Sequence, residues 1–285
     1  MTAELPTIAL PGTGDRVPRI GQGTWRMEQD DRRDCIQTLR HGVDLGATLI
    51  DTAEMYGSGT VEEIVGEALD GIREEVFLTS KILPRNADRE GTVEACERSL
   101  RRLDTDHLDL YLLHWPSSHP IEETMAGFRE LLDEGLVRSV GVSNCSLEQF
   151  VAADEALGPD HDLVTDQVLY WLGSRNVENE LLGGLREREV PLMAYSPLGQ
   201  AEFPDEGTPP HDALSAIADD HGATIAQVML AWVLRHEDVF TIPKTSSIDH
   251  LEENLAAAEI ELRAEDLERL DEVYPATDSS RIPTL

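Results

Sequence analysis

Four residues that can move a proton stand at or just beyond the ends of apolar segments: Asp51, Tyr56, Lys81 and His114. A carboxylate keeps a buried lysine charged, and the ammonium favours tyrosinate, which lowers a tyrosine pKa from about 10 toward the working pH. Such a tyrosine can donate a proton, and a nearby histidine can orient a carbonyl oxygen. The set therefore suits protonation of an alkoxide as it forms on a carbonyl carbon.

Lysine usage points to the same region. Only two of the 23 basic residues are lysines, Lys81 and Lys244, and the other 21 are arginines. Both lysines end apolar segments, VFLTSK and VFTIPK. Chance alone could explain why these two lysines remain. We favour the interpretation that both positions need an ammonium point charge, which the planar fork of arginine does not replace.

Taken singly, each of these residues has an ordinary structural interpretation. Asp51 could cap a helix, Tyr56 could lie in a surface loop, and His114 could be a hydrogen-bonded structural histidine. Their occurrence together, on successive predicted strands, is what favours a chemical site.

From Ile20 onward the chain alternates apolar strands with amphipathic helices in eight units, which predicts a closed (β/α)8 TIM barrel. The eight predicted strands are GQGTW, TLIDTA, VFLTSKI, LDLYLLHW, VRSVGVSN, LVTDQVLYW, PLMAYSPLG and VFTIPKT. A hairpin is predicted before the barrel and two extra helices after it, all within one domain, 1–285. An open doubly wound sheet is the alternative. Its dinucleotide-binding form would carry the motif GxGxxG, which is completed neither by the glycines of the predicted hairpin nor by those of the first predicted barrel strand.

In such barrels the carboxyl ends of the strands carry the chemistry. Ser143, Asn144 and Gln167 could hydrogen-bond a planar carboxamide, and Tyr195 offers a ring for stacking. Lys244 and Thr245, just before a predicted helix, resemble an anion site. The bland alternatives are a Ser-Asn turn, a solvated rim glutamine, and core positions for Trp25 and Trp115.

Composition limits the partners. With 56 acidic against 23 basic residues the formal charge is −33, which disfavours nucleic acid and anionic membranes. Because the acids are spread over helical faces, we expect an acidic surface adapted to concentrated salt. Three widely spaced cysteines predict reduced thiols and a cytoplasmic location, and no apolar segment is long enough to span a membrane. Nothing in the sequence demands assembly, so we expect a monomer.

Several long motifs, in order, resemble those of the aldo-keto reductase family, and within it those of the bacterial methylglyoxal and small-aldehyde reductases. The similarity extends from about Ile20 to Asn254. It is carried by GQGTW, LIDTAEMYG, VGEALDG, VFLTSK, SLRRLDTDHLDLYLLHWP, GVSN, DQVLY, MAYSPLGQ and IPKTSSIDHLEEN. The resemblance implies an NAD(P)H-dependent carbonyl reductase on a barrel, without a metal.

The resemblance also assigns roles. Tyr56 would donate the proton, Lys81 held by Asp51 would lower its pKa, and His114 would orient the carbonyl. The nicotinamide would stack on Tyr195. The other implied cofactor contacts are Gly23, Thr24, Asp51, Ser143, Asn144, Gln167, Ser196, Leu198, Lys244, Thr245, His250, Glu253 and Asn254. Trp25 and Trp115, with Tyr56 and His114, would wall a pocket for small aldehydes, ketones or dicarbonyls.

One position departs from the family pattern. Many members carry an arginine six residues after the phosphate-binding lysine, where this chain has His250. A mostly neutral imidazole grips a 2′-phosphate less well, so we expect NADP(H) as the better cofactor with NAD(H) also used. Two other functions stay open: a barrel lyase that uses Lys81 as a Schiff-base amine, and a non-catalytic cofactor-sensing subunit.

Overall fold

Eight parallel strands form a barrel in the computed structural model, which describes residues 4–284. The barrel strands are β3 (Gln22–Gly23), β4 (Leu49–Asp51), β5 (Phe77–Ile82), β6 (Leu108–Leu113), β7 (Val137–Ser143), β8 (Leu163–Leu169), β9 (Leu192–Tyr195) and β10 (Val239–Thr241). Each pairs in parallel with the next along the chain. Their residues are almost all buried, as expected for strands covered on both faces.

The first and last strands also meet, which closes the barrel. Parallel bridges join Ile20 to Thr241 and Gly23 to Lys244. A side chain at Gly23 would not fit, because its Cβ would lie 2.4 Å from the carbonyl oxygen of Ile242. The predicted TIM barrel is confirmed, and the open doubly wound alternative is wrong.

The predicted N-terminal hairpin is present as β1 (Thr7–Ala9) and β2 (Arg16–Pro18), paired antiparallel. Its side chains Ile8, Leu10 and Val17 form one apolar cluster with inward-facing residues of the barrel, such as Leu110 and Phe240. The hairpin therefore supplies part of the packing inside the barrel.

Within residues 4–284, ten helices surround the strands. They are α1 (Arg32–Asp44), α2 (Thr60–Leu69), α3 (Arg89–Leu103), α4 (Ile121–Asp133), α5 (Leu147–Leu157), α6 (Leu181–Arg186), α7 (Pro209–His221), α8 (Ile225–Val233), α9 (Ile248–Ala256) and α10 (Ala264–Val273). The two extra helices expected after the last strand are α9 and α10. The helix expected over 177–190 is only six residues long, α6: a 3-10 turn, Asn176–Glu178, precedes it, and Glu189 has a positive φ of 58° after it.

The three cysteines, Cys35, Cys96 and Cys145, are buried free thiols. Burial raises the pKa of each, so all three stay protonated at neutral pH. Over residues 4–284 there is no helix with both the length and the hydropathy needed to cross a bilayer.

A buried carboxylate connects three elements behind the site. Glu62 of α2 is fully buried and accepts hydrogen bonds from Ser80 of β5, at 2.6 Å, and from Arg102 of α3, at 2.6 Å. Since β5 also carries Lys81, this network holds the strand that presents the lysine.

We expect Arg102→Met to lower the free energy of unfolding by about 3 kcal/mol, because it leaves the Glu62 carboxylate buried without its cationic partner. Urea unfolding would measure the loss. Arg101→Met is the matched control: Arg101 is 66% exposed and lies 3.7 Å from Glu97, so its loss should cost no more than about 0.5 kcal/mol. Equal effects of the two substitutions would contradict the importance assigned to the buried pair.

Candidate active site

A buried ammonium joins the residues predicted to do chemistry. Lys81 is fully buried, and its Nζ donates to Asp51 Oδ2 at 2.6 Å, to the Thr52 carbonyl oxygen at 2.8 Å and to the Tyr56 hydroxyl at 3.1 Å. Asp51 ends β4 and Lys81 lies in β5, its neighbour in the barrel. Lys81 thus lies between the carboxylate and the phenol, as the sequence predicted.

The backbone after β4 positions the tyrosine. Tyr56 begins a short 3-10 turn, and the next two residues, Gly57 and Ser58, have φ of 54° and 55°. Left-handed backbone is strained for a serine, and such strain is concentrated at functional sites. The turn brings the Tyr56 ring edge-on to the His114 ring, with centroids 5.8 Å apart.

Burial and charge act in opposite directions on the two proton-binding groups. Burial alone would lower the pKa of Lys81, but the Asp51 carboxylate and the Tyr56 phenol outweigh it and raise that pKa. Burial raises the pKa of Tyr56, and the Lys81 ammonium offsets only part of the shift. The expectation of a Tyr56 pKa lowered toward the working pH is therefore wrong, because burial exceeds the effect of Lys81.

His114 follows β6 and is neutral at physiological pH. Burial first, and the Lys81 ammonium second, hold its pKa well below its usual value. Its buried Nδ1 has no hydrogen-bond partner among the residues described. A neutral imidazole carries one N–H, so His114 can offer one hydrogen bond to an oxygen without competing for the proton.

The amide side chains predicted to bind a carboxamide also hold the site together. Gln167 Nε2 donates to Asp51 Oδ1 at 2.7 Å and lies 2.7 Å from Met193 Sδ, which leaves the amide oxygen of Gln167 for a ligand. Asn144, at φ 59°, donates to the His114 carbonyl oxygen and accepts from the Tyr195 hydroxyl at 2.9 Å. The bond from Gln167 to Asp51 was not foreseen.

All the predicted site residues except Lys81 line one cavity of about 1230 Å³. The lining members of the prediction are Gly23, Thr24, Trp25, Asp51, Tyr56, His114, Trp115, Ser143, Asn144, Gln167, Tyr195, Ser196, Leu198, Lys244, Thr245, His250, Glu253 and Asn254. Lys81 lies behind the wall, beneath the Tyr56 hydroxyl. The cavity exceeds the roughly 300–1,000 Å³ of a drug-sized pocket, so it has room for a dinucleotide.

Sequence reasoning missed several residues of the cavity. Met55 and Phe203, both partly exposed apolar side chains, and Thr284 of the tail add to its wall. Arg26, at φ 64°, places its guanidinium 4.1 Å from the Trp25 ring centroid. These residues lie on loops, where no strand-end pattern marks them.

Polar groups that follow the last barrel strand also line the cavity. Lys244 and Thr245 follow β10, and α9 begins with Ser247 as its N-cap, accepting from the His250 backbone N–H. An ammonium next to a helix N-terminus suits a phosphate. The Lys244 ammonium is in direct contact with the Asp30 carboxylate, a pair not foreseen from the sequence.

The residues present fit a nicotinamide dinucleotide. The aromatic ring of Tyr195 and the amide side chains line the same cavity as Tyr56, and the Lys244 cation and residues of α9 also line it. Of residues 4–284, no group of three or more His, Cys, Asp or Glu side chains is arranged to hold a metal ion.

Comparisons with known proteins agree with this geometry. The model of the Aldo/keto reductase family matches residues 19–275. Methylglyoxal reductase YeaE of Escherichia coli is 47% identical over 262 residues, which cover 91% of this chain and 92% of that protein. Glyoxal reductase of Bacillus subtilis is 33% identical, over 90% of this chain and 89% of its own length.

Solved structures give the same result. An aldo/keto reductase from Klebsiella pneumoniae in complex with NADP and acetate superposes with a TM-score of 0.92, at 42% identity, over 99% of this chain and 100% of that one. The NADPH complex of an aldo-keto reductase from Klebsiella pneumoniae gives 0.90, also at 42% identity, over 99% of both chains. The chain belongs to the aldo/keto reductase family.

Proposed function

We propose that this protein reduces small aldehydes, ketones or dicarbonyls to alcohols with NADPH, with Tyr56 as proton donor. One observation carries the proposal: the Lys81 ammonium lies between the Asp51 carboxylate and the Tyr56 hydroxyl, at 2.6 and 3.1 Å, beside a cavity large enough for a dinucleotide. The methylglyoxal and glyoxal reductases among its relatives support small carbonyl compounds as the substrate class.

A nicotinamide cofactor held in this cavity would supply a hydride to the carbonyl carbon. The chain supplies the proton: the Tyr56 phenol, protonated at neutral pH because its pKa is raised, gives its hydrogen to the developing alkoxide oxygen. The tyrosinate left behind faces the Lys81 ammonium, which stabilises it. The neutral His114 donates one hydrogen bond to the same oxygen and orients it.

We propose positions for the cofactor from the residues that line the cavity. The nicotinamide would stack on Tyr195, with its carboxamide near Asn144 and the Gln167 oxygen. Gly23, Thr24, Asp51 and Ser143 would surround this group, and Ser196 and Leu198 would follow the pyrophosphate. Lys244, Thr245, His250, Glu253 and Asn254 would surround the phosphorylated adenosine. Trp25, Trp115, Tyr56 and His114 would enclose the substrate.

The hydrogen bonds of Lys81 argue against a Schiff-base lyase. Its three ammonium protons all point to acceptors, the oxygens of Asp51, Thr52 and Tyr56, so the nitrogen has no lone pair available for attack. The intact set of four residues argues against a non-catalytic subunit, since a sensor needs no proton donor.

We also propose a monomeric, cytoplasmic enzyme. Its support is the set of buried, reduced thiols and the near absence of large exposed apolar side chains over residues 4–284. Only Met55, Phe203 and Ile248 are of that kind, and the first two line the cavity. A surface with so few apolar contacts offers little for a permanent interface.

Tyr56→Phe tests the proton donor. Removing one hydroxyl should lower kcat by a factor of about 10² to 10⁴, because the alkoxide loses its positioned acid, while cofactor affinity is unchanged. Absorbance at the reduced-nicotinamide band measures turnover of a small aldehyde, and fluorescence titration measures binding. Tyr111→Phe is the matched control: the Tyr111 hydroxyl is buried away from the cavity without a hydrogen-bond partner within the described structure. Near wild-type turnover of Tyr56→Phe would refute the assignment.

His250→Arg tests the adenosine end. A guanidinium fork at this position should bind the 2′-phosphate more strongly than an imidazole, so the NADPH/NADH ratio of kcat/KM should rise about tenfold. Steady-state kinetics with both cofactors and one aldehyde would measure the ratio. An unchanged ratio would mean that this residue lies away from the phosphate.

We further propose that the enzyme is adapted to concentrated salt, on the basis of its formal charge of −33. The unfolding temperature should rise as KCl increases, and the rise should be steepest below about 1 M. At 1 M the Debye length is about 3 Å, so repulsion between acidic side chains is already screened and more salt should add little. Calorimetry across a KCl series would show this. A melting temperature that is the same in dilute buffer and in 1 M KCl would contradict the proposal.

A further inference from the structure

The cation that ends β10 already has a counter-ion. The Lys244 ammonium contacts the Asp30 carboxylate, and the Ser246 side chain also hydrogen-bonds to Asp30. Asp30 ends the 3-10 turn Met27–Gln29, ahead of α1, so it comes from the opposite end of the chain from Lys244. Lys244 lines the cavity, and the Asp30 and Lys244 side chains are 30% and 28% exposed, so solvent reaches both members of the pair.

Asp30 carries a full negative charge at neutral pH. Partial burial would raise its pKa, but the hydrogen bonds from Lys244 and Ser246 outweigh burial and hold that pKa below its usual value. Of the described residues that line the cavity, Lys244 and Arg26 carry a permanent positive charge, and Arg26 lies over Trp25. The adenosine end therefore presents a neutralised lysine instead of an uncompensated one.

This pair changes what the site favours. A ribose 2′-phosphate brought to Lys244 must either displace Asp30 or accept a carboxylate beside it, and both reduce the gain from the ammonium. A free 2′-hydroxyl is a hydrogen-bond donor, and a carboxylate is the acceptor that proteins use to select it. The Asp30 carboxylate therefore disfavours NADPH, which carries the 2′-phosphate, and favours NADH, which carries the free 2′-hydroxyl.

We propose that Asp30 is a specificity-determining residue, which lowers the affinity for NADPH by occupying Lys244 and allows NADH to bind by accepting from its ribose hydroxyl. The inference rests on the proposed function, since it presumes that a nicotinamide dinucleotide occupies the cavity. It goes beyond the effect of His250, because Asp30 acts on the lysine itself.

A purely structural role for Asp30 makes a different prediction. The pair connects the segment after β3 to the segment after β10, and an ion pair this exposed contributes little to stability. If Asp30 served only to join these segments, its loss would alter the affinity for both cofactors alike. If it selects between them, its loss must change their ratio.

The test is direct binding, without a carbonyl substrate. We expect Asp30→Asn to bind NADPH about tenfold more tightly than wild type and to bind NADH no more tightly, in fluorescence titrations at one fixed ionic strength. Displacement of the bound dinucleotide by 2′,5′-ADP and by 5′-AMP isolates the contribution of the 2′-phosphate. The preference for 2′,5′-ADP over 5′-AMP should be about tenfold larger in Asp30→Asn than in wild type. Asp30→Ala should shift the ratio in the same direction, since it also frees Lys244.

Glu28→Gln is the matched control. Glu28 lies in the same turn, is exposed and hydrogen-bonds to its neighbour Gln29, so the substitution removes the same charge without touching Lys244. It should leave the NADPH/NADH ratio of dissociation constants within about twofold of wild type. Melting temperatures of all variants would establish that each is folded.

The outcomes separate the two ideas. An unchanged ratio in Asp30→Asn, with wild type binding either dinucleotide, overturns this inference and leaves the reductase standing. A shift of equal size in Glu28→Gln also overturns it, since the effect would then be one of net charge. Wild type that binds neither dinucleotide overturns the proposed function and this inference together.

Discussion

The site depends on keeping one ammonium charged inside the protein. A buried lysine without a partner would lose its proton, because desolvation penalises the charged form. Asp51 prevents this in Lys81, and Asp51 is in turn held by Gln167 from the opposite side of the barrel. The amide on β8 holds the carboxylate on β4, the carboxylate keeps the lysine on β5 charged, and the ammonium acts on the Tyr56 phenol. Three different strands supply the first three groups, and the turn after β4 supplies the phenol.

A closed barrel of parallel strands brings groups from several strands together. Parallel strands present their carboxyl ends at one rim, so residues far apart in sequence meet there: Gln167 and Asp51 are 116 positions apart. Closure between β3 and β10 adds Lys244 to the same rim through its bridge to Gly23. The glycine is needed because the two backbones approach too closely for any Cβ. The close backbone approach that closes the barrel therefore also fixes where Lys244 lies in the site.

Sequence patterns predicted the features that depend on strand order and residue type. The barrel and the hairpin follow from apolar periodicity and turn residues. The strand-end positions of Asp51 and Lys81 made their meeting with Tyr56 an expectation, and the resemblance to the aldo-keto reductase family assigned their roles. Patterns could not predict pairings made by loops, such as Asp30 with Lys244, because loop conformation is not periodic. They also gave the wrong direction for the pKa of Tyr56, since the degree of burial around a phenol is a property of the packed structure.

The two lysines of this acidic chain illustrate how burial decides what an ion pair does. Both are paired with an aspartate from an earlier segment of the chain. Lys81 is fully buried, so solvent anions do not reach its pair, and its charge lies 3.1 Å from the Tyr56 hydroxyl. Lys244 is partly exposed, so another anion can approach it and compete with its aspartate. The same two residue types therefore give one enclosed ion pair beneath the phenol and one accessible ion pair at the wall of the cavity.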